Sequence, residues 1–208
     1  MPKINYKNSD GLSLPGVTTI IGNNNGWNKG QLMGWAYNRG KDGLSMRDQQ
    51  ALDVGTLAHL MIECDLKNKP FAMPDVDKAI KEKAENSFLA WLEWKDTVGI
   101  NMIKSEKSLV SEEFGYGGTI DVADVRKVVS ILDLKTSNDV YVDHRVQIAA
   151  YGRLWNENFP DKPIQAFYLL RLGKDNGSFV YHYWPSLDKE WEVFRHWLAL
   201  EKLRKELK

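Results

Sequence analysis

The chain has 208 residues, 43% hydrophobic and 27% charged, a composition ordinary for one folded domain and ample for a sizeable core. Lysine plus arginine and aspartate plus glutamate both number 28, so the net charge is zero; this does not advertise a nucleic-acid binder, although phosphate contact needs only local positive charge. The single cysteine, Cys64, excludes intramolecular disulfides, multi-thiolate zinc sites and iron–sulfur clusters, and no apolar run approaches the roughly 18 residues of a membrane span.

Met1-Pro2-Lys3-Ile4-Asn5-Tyr6 has no apolar signal-peptide stretch, so a cytosolic protein is expected. Residues 1–45 read as an irregular N-terminal segment, and 46–208 as the core of one domain spanning 1–208. Ser9-Asp10-Gly11 is a turn signal, Leu14 to Ile21 opens a short helix or strand, and Asn23 to Gly30 reads as a loop. Asp48 to Leu66 reads as a helix with Leu52, Leu57, Met61 and Ile62 on one broad face, although Gly55 weakens it. Asp75 to Val98 is the cleanest helix: Val76, Ile80, Ala84, Phe88, Trp91 and Leu92 follow the 3.6-residue period.

Short β-branched runs follow, and Ile100 to Ser111, Gly118 to Val125 and Val128 to Lys135 are expected strands. His144 to Asn158 returns to a helical pattern. Ile164 to Leu172 and Ser178 to Trp184 are two further strands around the Lys174-Asp175-Asn176-Gly177 turn. Asp188 to Lys208 closes the chain as an amphipathic helix carrying Trp191, Phe194, Trp197, Leu198 and Leu203. The fold class expected from this order is α/β, a mixed sheet flanked by helices. Of the eight tryptophans, most are expected to fill the core; a few could instead stack on unpaired bases.

Four stretches carry candidate chemistry. In Val128 to Ser137, Asp133 and Lys135 stand two residues apart on one face of an apolar strand end, where a rigid element positions reacting groups well. The plain alternative is an exposed ion pair of little worth. In Gly117-Gly118-Thr119-Ile120-Asp121, the glycines allow bending or close approach of a ligand, and Asp121 lies in an otherwise apolar strand. A bound cation is one way to offset the cost of that carboxylate. The spacing from Asp121 to Asp133 lets a hairpin set the two side by side, with Asp124 read as a turn residue before Arg126-Lys127.

His59 and Glu63 face the same way on the first helix, although a lone helical histidine is ordinarily a satisfied boundary residue and Cys64 packs as core. Gln147 and Tyr151 form a similar pair on a later helix, which alone means little.

Taken together, Gly55-x-x-x-His59, Gly118-x-x-Asp121, Asp133-Leu134-Lys135 and Gln147-x-x-x-Tyr151 resemble, in order and on matching elements, the RecB-like branch of the PD-(D/E)XK nucleases. The motifs span residues 55 to 151. Leu14-Pro15-Gly16-Val17-Thr18-Thr19-Ile20-Ile21, then Leu32-Met33-Gly34-Trp35-Ala36, resemble the lead-in of mitochondrial genome maintenance exonucleases and their phage-encoded relatives, with Gly16 where that subgroup has a serine-like residue. The single cysteine rules out cluster-binding relatives.

The resemblance implies a core of helix, three strands, helix and strand that hydrolyses DNA with Mg²⁺ or Mn²⁺, leaving a 5′-phosphate and a 3′-hydroxyl. It implies Asp121, Asp133, His59 and the main-chain carbonyl of Leu134 as metal ligands, with Lys135 orienting or helping to deprotonate water. Glu106 is a second-metal or supporting acidic group, or a solvated strand residue. Gln147 and Tyr151 would line the groove, and Thr136 and Ser137 would donate to a phosphate. Lys104, Arg145 and Arg153 are candidate phosphate contacts or plain solvated charges, and Trp27, Trp35 and Tyr37 could form an arch or wedge over a single strand. The expected partner is DNA, with a recombination or replication protein compatible and the oligomeric state open. An endonuclease on the same core, or a non-catalytic DNA-binding module, are the competing readings.

Overall fold

A computed structural model describes residues 4–207 except 28, 46–48, 101 and 126–127, and leaves undescribed the side chains of residues 51, 52, 103, 124 and 125. Met1 to Lys3, Asn28, the expected helix start at Asp48, the Leu52 side chain, Asn101, the Arg126-Lys127 turn and Lys208 therefore lie outside the described residues.

The N-terminal segment is not irregular. β1 (Tyr6–Lys7) and β2 (Ser13–Leu14) form a small antiparallel hairpin, followed by α1 (Val17–Asn24) and α2 (Lys29–Lys41). Val17, Ile20 and Ile21 sit at i, i+3 and i+4, so one turn of α1 buries all three in the main core. That packing overrides the strand preference of a Val-Thr-Thr-Ile-Ile run.

Next come α3 (Gln49–Leu66) and α4 (Lys78–Val98). α4 starts where the Asp77 side chain accepts from the Ala79 N–H at 2.8 Å, a helix cap, so Val76 stays outside the helix. It ends at Gly99, whose φ of 68° suits a residue without Cβ.

β3 (Met102–Ser111), β4 (Tyr116–Val125), β5 (Val129–Lys135), β6 (Ala166–Leu172) and β7 (Phe179–Trp184) form one five-stranded sheet in sequential order. Asp124 belongs to β4, opposite Ser130, rather than to a turn. Only β5 and β6 are parallel, joined by the crossover helix α5 (Val142–Asn158); α6 (Asp188–Glu206) follows the sheet. The protein is thus a mixed α/β fold whose five-stranded mixed sheet has helices on both faces, and the order helix, three strands, helix, strand is present from α3 to β6 with α4 inserted after α3.

One face packs Ile120, Ile131 and Leu169 against α1, α5 and α6. The other packs Val122, Leu132, Leu134 and Leu170 against Trp91 and Trp94 of α4 and Ile62 of α3. Burial on both faces explains why β5 reads as a continuous apolar run. Trp91, Trp94 and Trp155 are fully buried, and Leu203 of α6 is exposed while Glu201 is buried in its stead. Asn23 and Asn24 at the end of α1 donate to the Glu201 carboxylate, which ties α1 to α6. Among the described residues no helix is long and apolar enough to cross a membrane.

Candidate functional site

The site forms where three strands and α3 meet. Val122 pairs with Leu132, which sets Asp121 and Asp133 side by side on adjacent strands. The Leu134 N–H donates to Asp121 Oδ2 at 2.9 Å, fixing that carboxylate over β5. From α3, His59 Nδ1 lies 3.7 Å from Asp121 Oδ1, too far for a hydrogen bond, and this buried nitrogen has no partner.

Glu106 comes from β3 through an unusual backbone. Its φ of 47° is left-handed, while the flanking pairs Ser105↔Val122 and Lys107↔Ile120 keep the ladder in step on either side. A non-glycine residue held there costs on the order of 1–3 kcal/mol, and such outliers gather at functional sites. The result is that ligand atoms of His59, Glu106 and Asp121 all lie within 4.8 Å of one another. Burial, then the Asp121 and Glu63 carboxylates, push the Glu106 carboxyl up to about 8, with Lys67 opposing. Glu63 itself pairs with Lys67 one helical turn on.

Asp133 is 1% exposed, and Lys135 Nζ stands 2.7 Å from its Oδ2. The contact is an ion pair off the hydrogen-bond axis, so neither Asp133 oxygen has an aligned donor. Burial raises the Asp133 carboxyl to about 7; Lys135 pulls it down and Asp121 pushes it up. Burial alone would lower the Lys135 ammonium, but Asp133 and Asp121 outweigh it and keep Lys135 charged. The same cation, after burial, holds His144 at the start of α5 down to about 4.

An imidazole nitrogen and two carboxylates, with a buried nitrogen lacking any partner, form a set that can hold a metal ion; hard divalent cations suit the oxygens and a borderline one the nitrogen. Asp133 is the register neighbour of Asp121, but its carboxylate is engaged with Lys135 and does not belong to that trio. Glu106 does, and the sequence could not have separated it from a solvated strand residue.

Each motif glycine has a tertiary reason. A Cβ on Gly55 would meet Thr136 Oγ1 at 3.1 Å, so the glycine lets α3 lie against the end of β5 and carry His59 to Asp121. A Cβ on Gly118 would meet the Tyr151 ring at 2.7 Å, and one on Gly117 the Tyr6 side chain at 2.3 Å. The close approach foreseen for the glycine pair is thus made by tyrosine side chains of the chain itself. Gly118→Ala is expected to cost about 1–3 kcal/mol through overpacking and to lower the melting temperature by several degrees. A thermal melt matching the native protein would show that Tyr151 can move aside.

Tyr151 accepts from Gln147 Nε2 at 2.8 Å, and burial raises its phenol well above the usual range. Both line a cleft of about 830 Å³ together with His59, Glu106, Asp121 and Lys135. Tyr6, Thr18 and Thr19 close its other side, a wall that local sequence did not announce. Tyr6 Oη lies 3.0 Å from Thr119 Oγ1. Thr136 lies just past Lys135, and Ser137 Oγ donates to the Asp139 carbonyl at 2.7 Å.

The other suggested phosphate contacts have structural employment. Arg145 pairs with Glu190, Arg153 lies over Trp191 and near Asp188, and Lys104 lies over Phe159. Trp27 packs on Trp197, Trp35 lies under Arg39, and Tyr37 is exposed; α2 buries no side chain.

No family model matches the sequence, and no curated protein matches it. Among solved structures the chain is similar to a candidate exonuclease from Eubacterium rectale, with TM-score 0.49 and 17% identity over 76% of this chain and 66% of that one, just short of two thirds of its length. It is also similar to the alkaline exonuclease LHK-Exo from Laribacter hongkongensis, with TM-score 0.38 and 12% identity over 76% and 90% of the two chains. LHK-Exo in complex with dAMP gives TM-score 0.38 and 13% identity over 76% and 86%. At these scores the fold of this chain stands on its own strand order and register.

Proposed function

We propose that this protein is a divalent-metal-dependent deoxyribonuclease, an exonuclease of DNA recombination, replication or repair. The observation that carries the reading is the convergence of His59, Glu106 and Asp121 in one cleft beside the buried Asp133–Lys135 pair. The ordered resemblance of the four motifs supports the same chemistry, and the N-terminal lead-in supports exonuclease action of the phage-encoded kind.

His59, Glu106 and Asp121 would hold Mg²⁺ or Mn²⁺, with Asp133 and the Leu134 carbonyl beside them. A cation there supplies Lewis-acid polarisation of the phosphate and makes a nearby water easier to deprotonate. Asp121 is oriented for this by the Leu134 N–H, and His59 by the close approach of α3 at Gly55. Lys135 stays protonated, so its part is to donate to the attacking water or a phosphate oxygen and to offset charge as the transition state forms. Asp133, buried against it, fixes the ammonium. Water adds to phosphorus and the P–O3′ bond breaks, leaving a 5′-phosphate and a 3′-hydroxyl. Gln147 and Tyr151 would border the strand.

The test is a time course on end-labelled single- and double-stranded DNA, with free or blocked ends, in Mg²⁺, Mn²⁺ or a chelator. Cation-dependent shortening from free ends is expected, abolished by the chelator. Cutting of blocked or circular DNA would make it an endonuclease, and no cleavage under any cation would overturn the enzyme reading.

A further inference from the structure

Beyond Lys135 the chain enters a second cavity, of about 290 Å³, in which the nuclease reading uses only Thr136 and Ser137. Lys135 and Arg171 are register partners on the parallel strands β5 and β6, so their side chains leave the sheet on the same face. Thr136, Ser137 and Asn138 form one wall of this cavity, and Arg171 with the turn after β6 forms the other.

Its charge is unbalanced. Among the described residues Arg171, which is half-buried, has no carboxylate within ion-pair reach. Lys174 on the turn has no ion partner among them either. The one carboxylate lining the cavity, Asp175, is exposed and lies 3.3 Å from Lys83 of α4. The cavity thus has two cations, Arg171 and Lys174, against one carboxylate that is shared with Lys83.

The turn that presents Lys174 is held in place. Gly173 donates to the Ser178 carbonyl at 2.7 Å, and Asn176 Oδ1 accepts from the Ser178 main chain and hydroxyl. A Cβ on Gly173 would meet Asn176 Oδ1 at 2.5 Å, and Asn86 of α4 donates to the Lys174 carbonyl at 3.1 Å. A pinned turn, a guanidinium able to grip two oxygens and hydroxyl or amide donors opposite match a phosphodiester group.

We propose that Arg171 and Lys174 form a second phosphate subsite, which holds the nucleic-acid backbone next to the scissile phosphate and sets the strand's register at Lys135. This rests on the nuclease reading for its ligand, but on separate residues for its evidence. Free phosphate offers the same chemistry; the position, with Arg171 the register partner of Lys135 on the adjacent strand, favours the polymer.

The experiment measures binding of a fluorescein-labelled oligodeoxynucleotide in a chelator between 50 and 200 mM salt, a range over which phosphate contacts are resolved. Native protein is compared with Arg171→Gln, Lys174→Gln and, as a control cation, Lys78→Gln on exposed α4 surface. Each subsite variant should lower the slope of log affinity against log salt by about 0.7–0.9, the loss of one phosphate contact, while Lys78→Gln leaves it unchanged. In the cleavage assay with cation, the subsite variants should raise KM several-fold with kcat largely kept. Unchanged slopes in both variants, or an equal fall in Lys78→Gln, would overturn the subsite while cleavage by native protein still stood. If millimolar inorganic phosphate competes with the oligonucleotide in native protein but not in Arg171→Gln, with slopes unaltered, the cavity holds free phosphate and the strand assignment falls. Native protein that neither binds nor cuts DNA would remove both readings. Lys174 lies on a surface turn, so Lys174→Gln keeps the test open should Arg171→Gln fold poorly.

Discussion

Asp121→Asn is expected to reduce cation-dependent DNA cleavage by about three orders of magnitude while leaving the protein folded. The fold should survive because Asn keeps a carbonyl oxygen able to accept from the Leu134 N–H, now met by Asp121 Oδ2 at 2.9 Å. The loss should be large because one of the three groups that converge within 4.8 Å among the described residues would lose its charge, and electrostatic stabilisation of several kcal/mol corresponds to about a decade per 1.36 kcal/mol. A binding measurement separates this from damage. Saturating Mn²⁺ should raise the native melting temperature, by about 2.7 kcal/mol of linkage at a hundredfold excess over Kd, and Asp121→Asn should lose most of that rise. Lys135→Gln should do the reverse, keeping the cation-induced rise while losing turnover, because Lys135 pairs with Asp133 and is outside the trio. Retention of both cleavage and the thermal shift by Asp121→Asn would sink the proposed site.

The second large effect is one of pH, and its direction is opposite for the metal-free and metal-loaded protein. Burial and neighbouring carboxylates raise Glu106 from 4.5 to about 8, and burial raises Asp133 from 3.8 to about 7. Both hold protons more tightly folded than unfolded. Each therefore contributes stability that is complete below its unfolded value near 4 and is lost as pH rises through 7 to 8. The metal-free protein should melt at progressively lower temperature from about pH 4 to pH 8 and level off above that, the window between the unfolded and folded values. A cation must displace the same protons, so its affinity should rise with pH, about tenfold per unit for each proton released. Between pH 6 and 8, Glu106 alone gives a change on the order of 10². Calorimetric titration of Mn²⁺ in two buffers of different ionisation enthalpy measures that proton release. A flat affinity together with metal-free stability that rises with pH would show that these carboxyls are already ionised.

Both expectations depend on a strained residue whose importance no local pattern announces. Glu106 sits in the middle of Lys104-Ser105-Glu106-Lys107-Ser108, five polar residues in a row within Met102–Ser111, where no period singles it out. Its place opposite Asp121 follows from the β3–β4 register, and its aim from a left-handed φ. The first is a pairing across the chain and the second a backbone state imposed by the pairs on either side, so neither is written in adjacent residues.

Asp133 and Lys135 behave differently. Two polar residues at alternate positions in Val129–Lys135 stand out because a doubly buried strand should be apolar, and that anomaly was legible directly. Which role each takes was not, because Asp133 could be a free ligand or the partner of Lys135 until burial and the 2.7 Å contact were known.

What the amino-acid order determined by itself is therefore what depends on short periods. The stripe of Ala84, Phe88 and Trp91 made α4 a helix, β-branched runs made the strands, and the sequence of elements made a mixed α/β sheet with helices on both faces. The tertiary structure decided whatever depends on two distant segments meeting. It placed Tyr6 on Gly117 and Tyr151 on Gly118, turned a Val-Thr-Thr-Ile-Ile run into a buried helix and left α2 without a buried side chain. It also joined His59, Glu106 and Asp121 from three separate elements. The physical reason is one of range: hydrophobic periodicity is a property of neighbours, whereas burial, register and the field around a carboxylate belong to the assembled fold.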